Sequence, residues 1–327
     1  MSVTSWVGID PADRRAWNRS TIDDPAGWYA TLSPSTLDLL EQEALRACGA
    51  DAPLATLRPS EELLAILTAE LSGVVDALEV GRGFAVVRSL DLDRFGAAAA
   101  PYAYWLLGHG VGRPIVQNVQ GTLLYDVRDT GTDLYSGARV SITNRESGFH
   151  TDNSFGDRIL DYVGLHCLRS AREGGLSQVV SGFSAARLLA RENPEALDSL
   201  AEAYAVDRRA GTRPGQASTV DVPVLSAPEG ELLVRYLRYW IQAAEEKRGE
   251  PLPPSRTAAL DLLDDTLNRP DLRAEFMLEP GEVMFLNNRW LLHNRTGFED
   301  FEEPEKKRHY VRLWLQRHSR SEAALFD

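Results

Sequence analysis

The 327-residue chain has two cysteines, Cys48 and Cys167, too few for a disulfide framework and without the paired spacing of a zinc site. They read as reduced, buried thiols. No apolar run approaches the roughly 18 residues that cross a bilayer, and the start, MSVTSWVGIDPADRRAW, lacks the basic segment and apolar stretch of a secretory signal. The expected location is therefore the cytoplasm, with no membrane partner. Positive charge is also scarce: 48 acidic against 35 basic residues give a net charge of -13, which repels phosphate backbones and excludes nucleic acid as an expected partner. GxGxxG and Walker sequences are absent, so nucleotide-binding folds lose their main support. Internal repeats and low-complexity linkers are missing too.

What is present is an ordinary globular composition, 43% hydrophobic and 25% charged, in a length that suits one decorated catalytic domain, residues 1–327. Residues 1–82 read as helical: SPSTLDLLEQEALRA starts at a Ser-Pro cap, and PSEELLAILTAELSGVVDALEVG continues from Ser60 to a stop at Gly81. RGFAVVRSL predicts a first buried strand, and AAAAPYAYWLLGHG a helix. Between about 112 and 182 the texture turns to short strand-like pieces, TLLYDV, ARVSIT, DYVGLHCL and SQVVSGF. Helix returns over 184–206 and near 255, within an insertion near 184–275. FMLEPGEVMFLNN predicts a hairpin turning at Pro280 and Gly281, and HYVRLWLQ a closing strand. Strands on both sides of a helical insertion, without βαβ alternation, predict a mainly β sandwich or jelly roll flanked by helices, its core at 83–317.

The chemistry centres on SGFHTDNSF, residues 147–155. In an extended segment His150 and Asp152 point to one face, because strand side chains repeat every two residues. Both can then reach one ion; the plain alternative is a strand end where Asp152 caps the turn DNS. Two ligands from one segment and one distant histidine make a facial triad that leaves positions of Fe(II) open, and FLNNRWLLHNRTGFED supplies His293 after a strand. His109 and His166 lie in helix-end and apolar strand contexts and read as structural. His309 would point away from Arg312, and His318 lies past the last strand. VRYLRYWI, residues 234–241, reads as core plus exposed arginines, although in the oxygenase family that the chain resembles, named below, the corresponding region can approach the active site; EDFEEPEKK reads as a solvated loop.

GFHTDNSF, AREGGLSQVVS, LEPGEVMFLNNRWLLHNRTGFED and KKRHYVRLWL, in this order, make the chain similar to the TauD/TfdA family of Fe(II)- and 2-oxoglutarate-dependent oxygenases, within the clavaminate synthase-like group. The resemblance covers about residues 83–317. It implies a double-stranded β-helix, a cupin-like jelly roll holding iron between its sheets, with His150, Asp152 and His293 as ligands. It also implies Arg312 on the distal carboxylate of 2-oxoglutarate and Ser177 as a hydroxyl beside it. Arginine suits that task because its planar fork pairs bidentately and keeps its proton.

Alternation in RHYVRLWL puts Arg308, Tyr310, Arg312 and Trp314 on one face, and the four-residue offset of about 13 Å keeps Arg308 and Arg312 from holding one small carboxylate by backbone position alone. Arg308 is expected either to meet an acidic group of the primary substrate or to form a surface salt bridge to EDFEEPE. Asn153 and Ser154 follow the ligand pair closely enough to touch a substrate, and the resemblance places Gln117 and Asn118 there as well. The reaction it implies couples decarboxylation of 2-oxoglutarate by O2, giving succinate and CO2, to hydroxylation or a related C–H oxidation of a small molecule: an amino acid, an amine or betaine, an anionic compound or a natural-product intermediate. Asp152 argues against halogenation, which needs that position vacant. The resemblance further implies a dimer or tetramer. The alternatives are a non-redox metal-binding jelly roll, either a cupin-like isomerase or a zinc hydrolase.

Overall fold

The computed structural model describes residues 13–132, 140–157, 159–208, 212 and 215–318. In chain order, β1 (Tyr29–Ala30) precedes helices α1 (Pro34–Gly49), α2 (Glu61–Glu70) and α3 (Ser72–Glu79), then β2 (Phe84–Arg88) and α4 (Leu92–His109). β3 (Arg113–Ile115), β4 (Leu124–Val127), β5 (Tyr162–Arg169), β6 (Glu173–Gly174) and β7 (Ser177–Ser181) follow. The insertion holds α5 (Gly182–Glu192), α6 (Pro194–Leu200), β8 (Ala203–Asp207), β9 (Thr219–Pro223), β10 (Leu225–Ser226), β11 (Leu233–Val234), α7 (Arg238–Arg248) and α8 (Pro254–Leu267). β12 (Arg273–Phe276), β13 (Glu282–Asn287), β14 (Leu291–Arg295), β15 (Phe298–Glu299) and β16 (His309–Gln316) complete it.

Two sheets face each other. The larger runs β1-β2-β13-β5-β16-β3, with β4 also pairing β16, and the smaller runs β12-β7-β14. Strict alternation on the larger sheet divides its side chains between two cores. Phe84, Val86, Met284, Leu286, Tyr310 and Trp314 face the smaller sheet and the insertion, while Ala85, Val87, Val283, Phe285, Val311, Leu313 and Leu315 face α1–α4. The N-terminal helices therefore cover the back of the sheet whose front carries the site. Close approach is enforced at Gly164 on β5, where an added Cβ would lie 2.5 Å from the Tyr104 hydroxyl of α4. This is a mainly β jelly-roll core with flanking helices.

Ser33 and Ser60 cap α1 and α2 through bonds from Thr36 N–H and Leu63 N–H, as their sequence signals predict. The periodic segment from Ser60 to Gly81 is two helices, because the first ends at Leu71 and the Ser72 hydroxyl donates back to the Ala69 carbonyl. AYAV, expected at the end of a helix, is strand β8: paired with β9, it buries Tyr204 and Val206. Val140–Ile142 of ARVSIT is a 3-10 turn rather than a strand, and residues 138–139 of that stretch lie outside the described residues. The expected hairpin at Pro280 and Gly281 is also corrected. Gly281 has φ +88° in a real turn, but β12 pairs with β7 while β13 pairs with β2 and β5, so the turn carries the chain from one sheet to the other. Among the described residues, no helix is long and apolar enough to cross a membrane.

Candidate metal centre

His150 and His293 form an isolated antiparallel bridge, each donating its N–H to the other's carbonyl at 3.0 and 2.9 Å, which sets their rings 4.2 Å apart. The segment after His150 is pinned from two further sides. Asn288 accepts the Asp152 N–H at 2.7 Å and donates to the Asp152 carbonyl at 2.9 Å. Thr151 donates its N–H to the Tyr236 carbonyl and its hydroxyl to the Val234 carbonyl. Asn153 then takes φ +55°, a left-handed turn that Asn tolerates better than most residues, and ends the extended run.

The outcome is a cluster in which one ligand atom from each of His150, Asp152 and His293 lies within 4.8 Å of the others. The chemistry of the donors fits a divalent ion. His150 Nδ1 lies 2.9 Å from the Gly148 carbonyl, which can only accept, so the ring proton sits on Nδ1 and the Nε2 lone pair is left free for a metal, 3.6 Å from Asp152 Oδ1. His293 Nδ1 is buried without a hydrogen-bond partner. Burial, reinforced by His150, lowers the His293 imidazole to about 3, so it is neutral at neutral pH as a ligand must be. Burial alone would raise the Asp152 carboxyl, but Arg312 and the two histidines hold it well below the usual carboxylate range.

The triad sits between the sheets. From the larger one, Trp314 Nε1 donates to Asp152 Oδ2 at 2.9 Å, and Arg312 Nη1 pairs with the same oxygen at 3.1 Å. Arg312 Nε donates to Gln117 Oε1 at 2.9 Å, and Gln117 returns a bond to the Arg312 carbonyl. Arg308 belongs to the same face, as alternation predicts. The surface salt bridge expected as one of its readings is absent: Arg308 is 3% exposed, its backbone N–H donates to Asp300, its guanidinium stacks 3.8 Å from the Tyr310 ring centroid, and Nε and Nη1 find no acceptor. Burial lowers its pKa. From the smaller sheet come Ser177 and, directly opposite it in register, Arg295, two residues after His293 and so on the same strand face. Arg295 donates to the Thr143 and Arg145 carbonyls, and burial followed by the Arg308 charge brings it to about 9.

One cavity opens on these groups, lined by the triad, Ser177, Arg295, Arg308, Arg312, Gln117, Asn118 and Asn153. Most of the expected site residues thus converge. Ser154 does not line it: the turn at Asn153 buries Ser154, whose carbonyl accepts from Arg235 Nε at 2.8 Å. Asn118 reaches the lining while holding its own turn, accepting from Gln120 and Thr122 N–H groups.

The structure adds Phe155, and Leu237, Tyr239 and Trp240 from the stripe read as core plus exposed arginines. Arg235 of that stripe is half-buried and clamps the Ser154 and Gly156 carbonyls, tying the stripe to the turn after the ligand pair. Period-two counting from His293 would have found Arg295. A single sequence carries no signal for Asn288 or Phe155.

A family model described as "Taurine catabolism dioxygenase TauD, TfdA family" matches residues 51–314. The chain belongs to the TauD/TfdA family. Its activity is accordingly that of a non-heme dioxygenase working with Fe(II), 2-oxoglutarate and O2. Among curated TauD/TfdA relatives, FR-33289 synthase of Streptomyces rubellomurinus (strain ATCC 31215) is 24% identical over 314 residues, 92% of this chain and 89% of that protein. A uridine-5'-phosphate dioxygenase of Amycolatopsis sp is 31% identical over 188 residues, 54% of this chain and 66% of that one. Among solved structures, asparagine oxygenase in complex with Fe(II), 2S,3S-3-hydroxyasparagine and succinate shares the fold at TM-score 0.67 and 20% identity, covering 89% of this chain and 94% of its own.

Proposed function

We propose that the protein oxidises an unactivated C–H bond of a small molecule, with hydroxylation as its ordinary outcome, in one catalytic unit spanning the chain. The observation that carries this reading is the triad, three ligands on one side of a site whose other side is the arginine-lined cavity. His150, Asp152 and His293 hold the iron. When bound, iron and 2-oxoglutarate would let O2 act as the oxidant, one oxygen atom ending in succinate as the keto acid loses CO2 and the other in the oxidised substrate.

The chain's own residues orient the reactants. Two guanidiniums on one strand face are suited to two carboxylates. The resemblance assigned the distal carboxylate of 2-oxoglutarate to Arg312, but its Nη1 contacts Asp152, a metal ligand, so whatever it grips lies beside the metal. The distal carboxylate stands two methylene groups from the chelating atoms and needs a more remote partner. Arg308 fits that requirement, since its Nε and Nη1 are buried without acceptors and it shares the cavity with Ser177. Arg312 is then left for the primary substrate, held in place by Gln117. Tyr310, Trp314 and Met284 add apolar surface to the same cavity.

The test is an anaerobic titration of the apoprotein with Fe(II) and 2-oxoglutarate, followed by the visible charge-transfer band of the chelate. The band is expected in the wild type and absent in His293→Ala. Iron binding without a band would sink the oxygenase reading in favour of a non-redox metal site.

A further inference from the structure

The two oxygens of Asp152 have unlike surroundings. Oδ2 accepts from Trp314 Nε1 at 2.9 Å and pairs with Arg312 Nη1 at 3.1 Å, and a carboxylate oxygen has lone pairs for about two such donors. Oδ1 instead lies 3.6 Å from His150 Nε2, and because the His150 proton is on Nδ1, both of these atoms are acceptors. Two acceptors held that close in a buried site are unfavourable until a cation comes between them. Oδ1 is therefore the metal side of the carboxylate, and Oδ2 is turned toward the larger sheet.

Of the two donors on Oδ2, the indole is the fixed one. Trp314 is 4% exposed, and β16 is paired on both sides at this residue, with Val163 of β5 and Ile115 of β3. Its single N–H has Oδ2 as acceptor. Arg312 carries several donors, one of them on Gln117, and it lines the cavity, where a bound molecule competes for it. Once Arg312 turns to a ligand, Trp314 still occupies Oδ2.

Resting on the oxygenase reading above, we infer that Trp314 is a positioning residue whose N–H keeps Asp152 a one-oxygen ligand. A facial triad that gives one atom per residue leaves three positions on Fe(II), two for the chelating keto acid and one for O2. A carboxylate free at both oxygens can bind a hard cation through both, and the extra position it takes is then the one O2 needs. The plain alternative is that Trp314 only fills the cavity wall, a task for which a phenyl ring would serve.

Two variants remove the donor: Trp314→Phe, and benzothienylalanine in place of Trp314, which keeps the bicyclic shape and exchanges N–H for sulfur. Iron affinity is read by competitive chelator titration and 2-oxoglutarate binding by the chelate band. The last position is read with anaerobic nitric oxide, a stand-in for O2 whose Fe(II) adduct is followed by electron paramagnetic resonance, with and without 2-oxoglutarate. Both variants should hold iron and 2-oxoglutarate within about threefold of the wild-type affinities. They should bind nitric oxide normally in the absence of 2-oxoglutarate and at least about tenfold more weakly in its presence.

A packing defect does not produce a loss that depends on the cosubstrate. Nitric oxide binding that is unchanged in the presence of 2-oxoglutarate overturns the inference. So does an equal loss with and without it, or a loss of iron itself, since each leaves Trp314 a wall or a general support. Should Trp314→Phe fail to fold, the isosteric variant gives the same comparison. A wild-type protein that binds iron without forming the chelate band removes the oxygenase reading and this inference together; the other outcomes remove the inference alone.

Discussion

Replacing Arg308 by glutamine asks which guanidinium holds the cosubstrate. In the folded protein this cation is 3% exposed, is offset by the Tyr310 and Phe298 rings and by the Asp300 charge, and has Nε and Nη1 without acceptors, so removing it relieves an only partly compensated buried charge. The variant should fold at least as stably as the wild type. Binding of 2-oxoglutarate should suffer, because its distal carboxylate would be buried without a counter-charge. Stranding one member of such a pair costs about 3–5 kcal/mol, or roughly two to three and a half decades in Kd.

The assay is the anaerobic titration of 2-oxoglutarate into the Fe(II) protein, read from the chelate band. Arg312→Gln is the control: it loses the contact to Asp152, but bound iron then carries the charge that Asp152 needs, and the Kd for 2-oxoglutarate should move by less than about tenfold. If Arg308→Gln binds 2-oxoglutarate normally while Arg312→Gln does not, the assignment is reversed and the resemblance named the right residue.

Three further outcomes follow from the same structure. Asn288→Ala removes both bonds that pin the Asp152 backbone, which should weaken iron affinity about ten- to a hundredfold in a competitive chelator titration while the ligands themselves remain. An unchanged affinity would mean that the His150–His293 bridge suffices. Burial lowers His109 to about 4 and His166 to about 3, as it does His293, below the ordinary value of 6.5. The unfolded chain thus binds protons that the folded one refuses, so apoprotein stability is fully present above pH 6.5 and falls as pH drops from there toward about 3–4; urea midpoints equal at pH 7 and pH 5 would contradict it. Gly164→Ala places a methyl 2.5 Å from the Tyr104 hydroxyl and 3.1 Å from Phe285, and should cost about 1–3 kcal/mol in denaturant unfolding without changing the chelate band.

The sequence by itself determined the parts whose information is local. His150 and Asp152 share a face because an extended segment repeats every two residues, and the same period assembled Tyr310, Arg312 and Trp314 on β16 with Arg308 just before it. Helix caps at Ser33 and Ser60 were legible for the same reason, each being a bond within one turn. Tertiary structure decided whatever depends on which strand meets which. The chain around Pro280 and Gly281 has every local sign of a hairpin, yet its strands join opposite sheets, because partner choice is set by burial of β13 between β2 and β5.

The roles of the two arginines divide in the same way. Their residue type and spacing are equivalent on paper, and only the packed site shows that one is paired to Asp152 and Gln117 while the other is buried with open donors. The Val234 and Asn288 contacts reach the segment that carries His150 and Asp152 from 83 and 136 residues away, a distance in sequence across which no local pattern carries information.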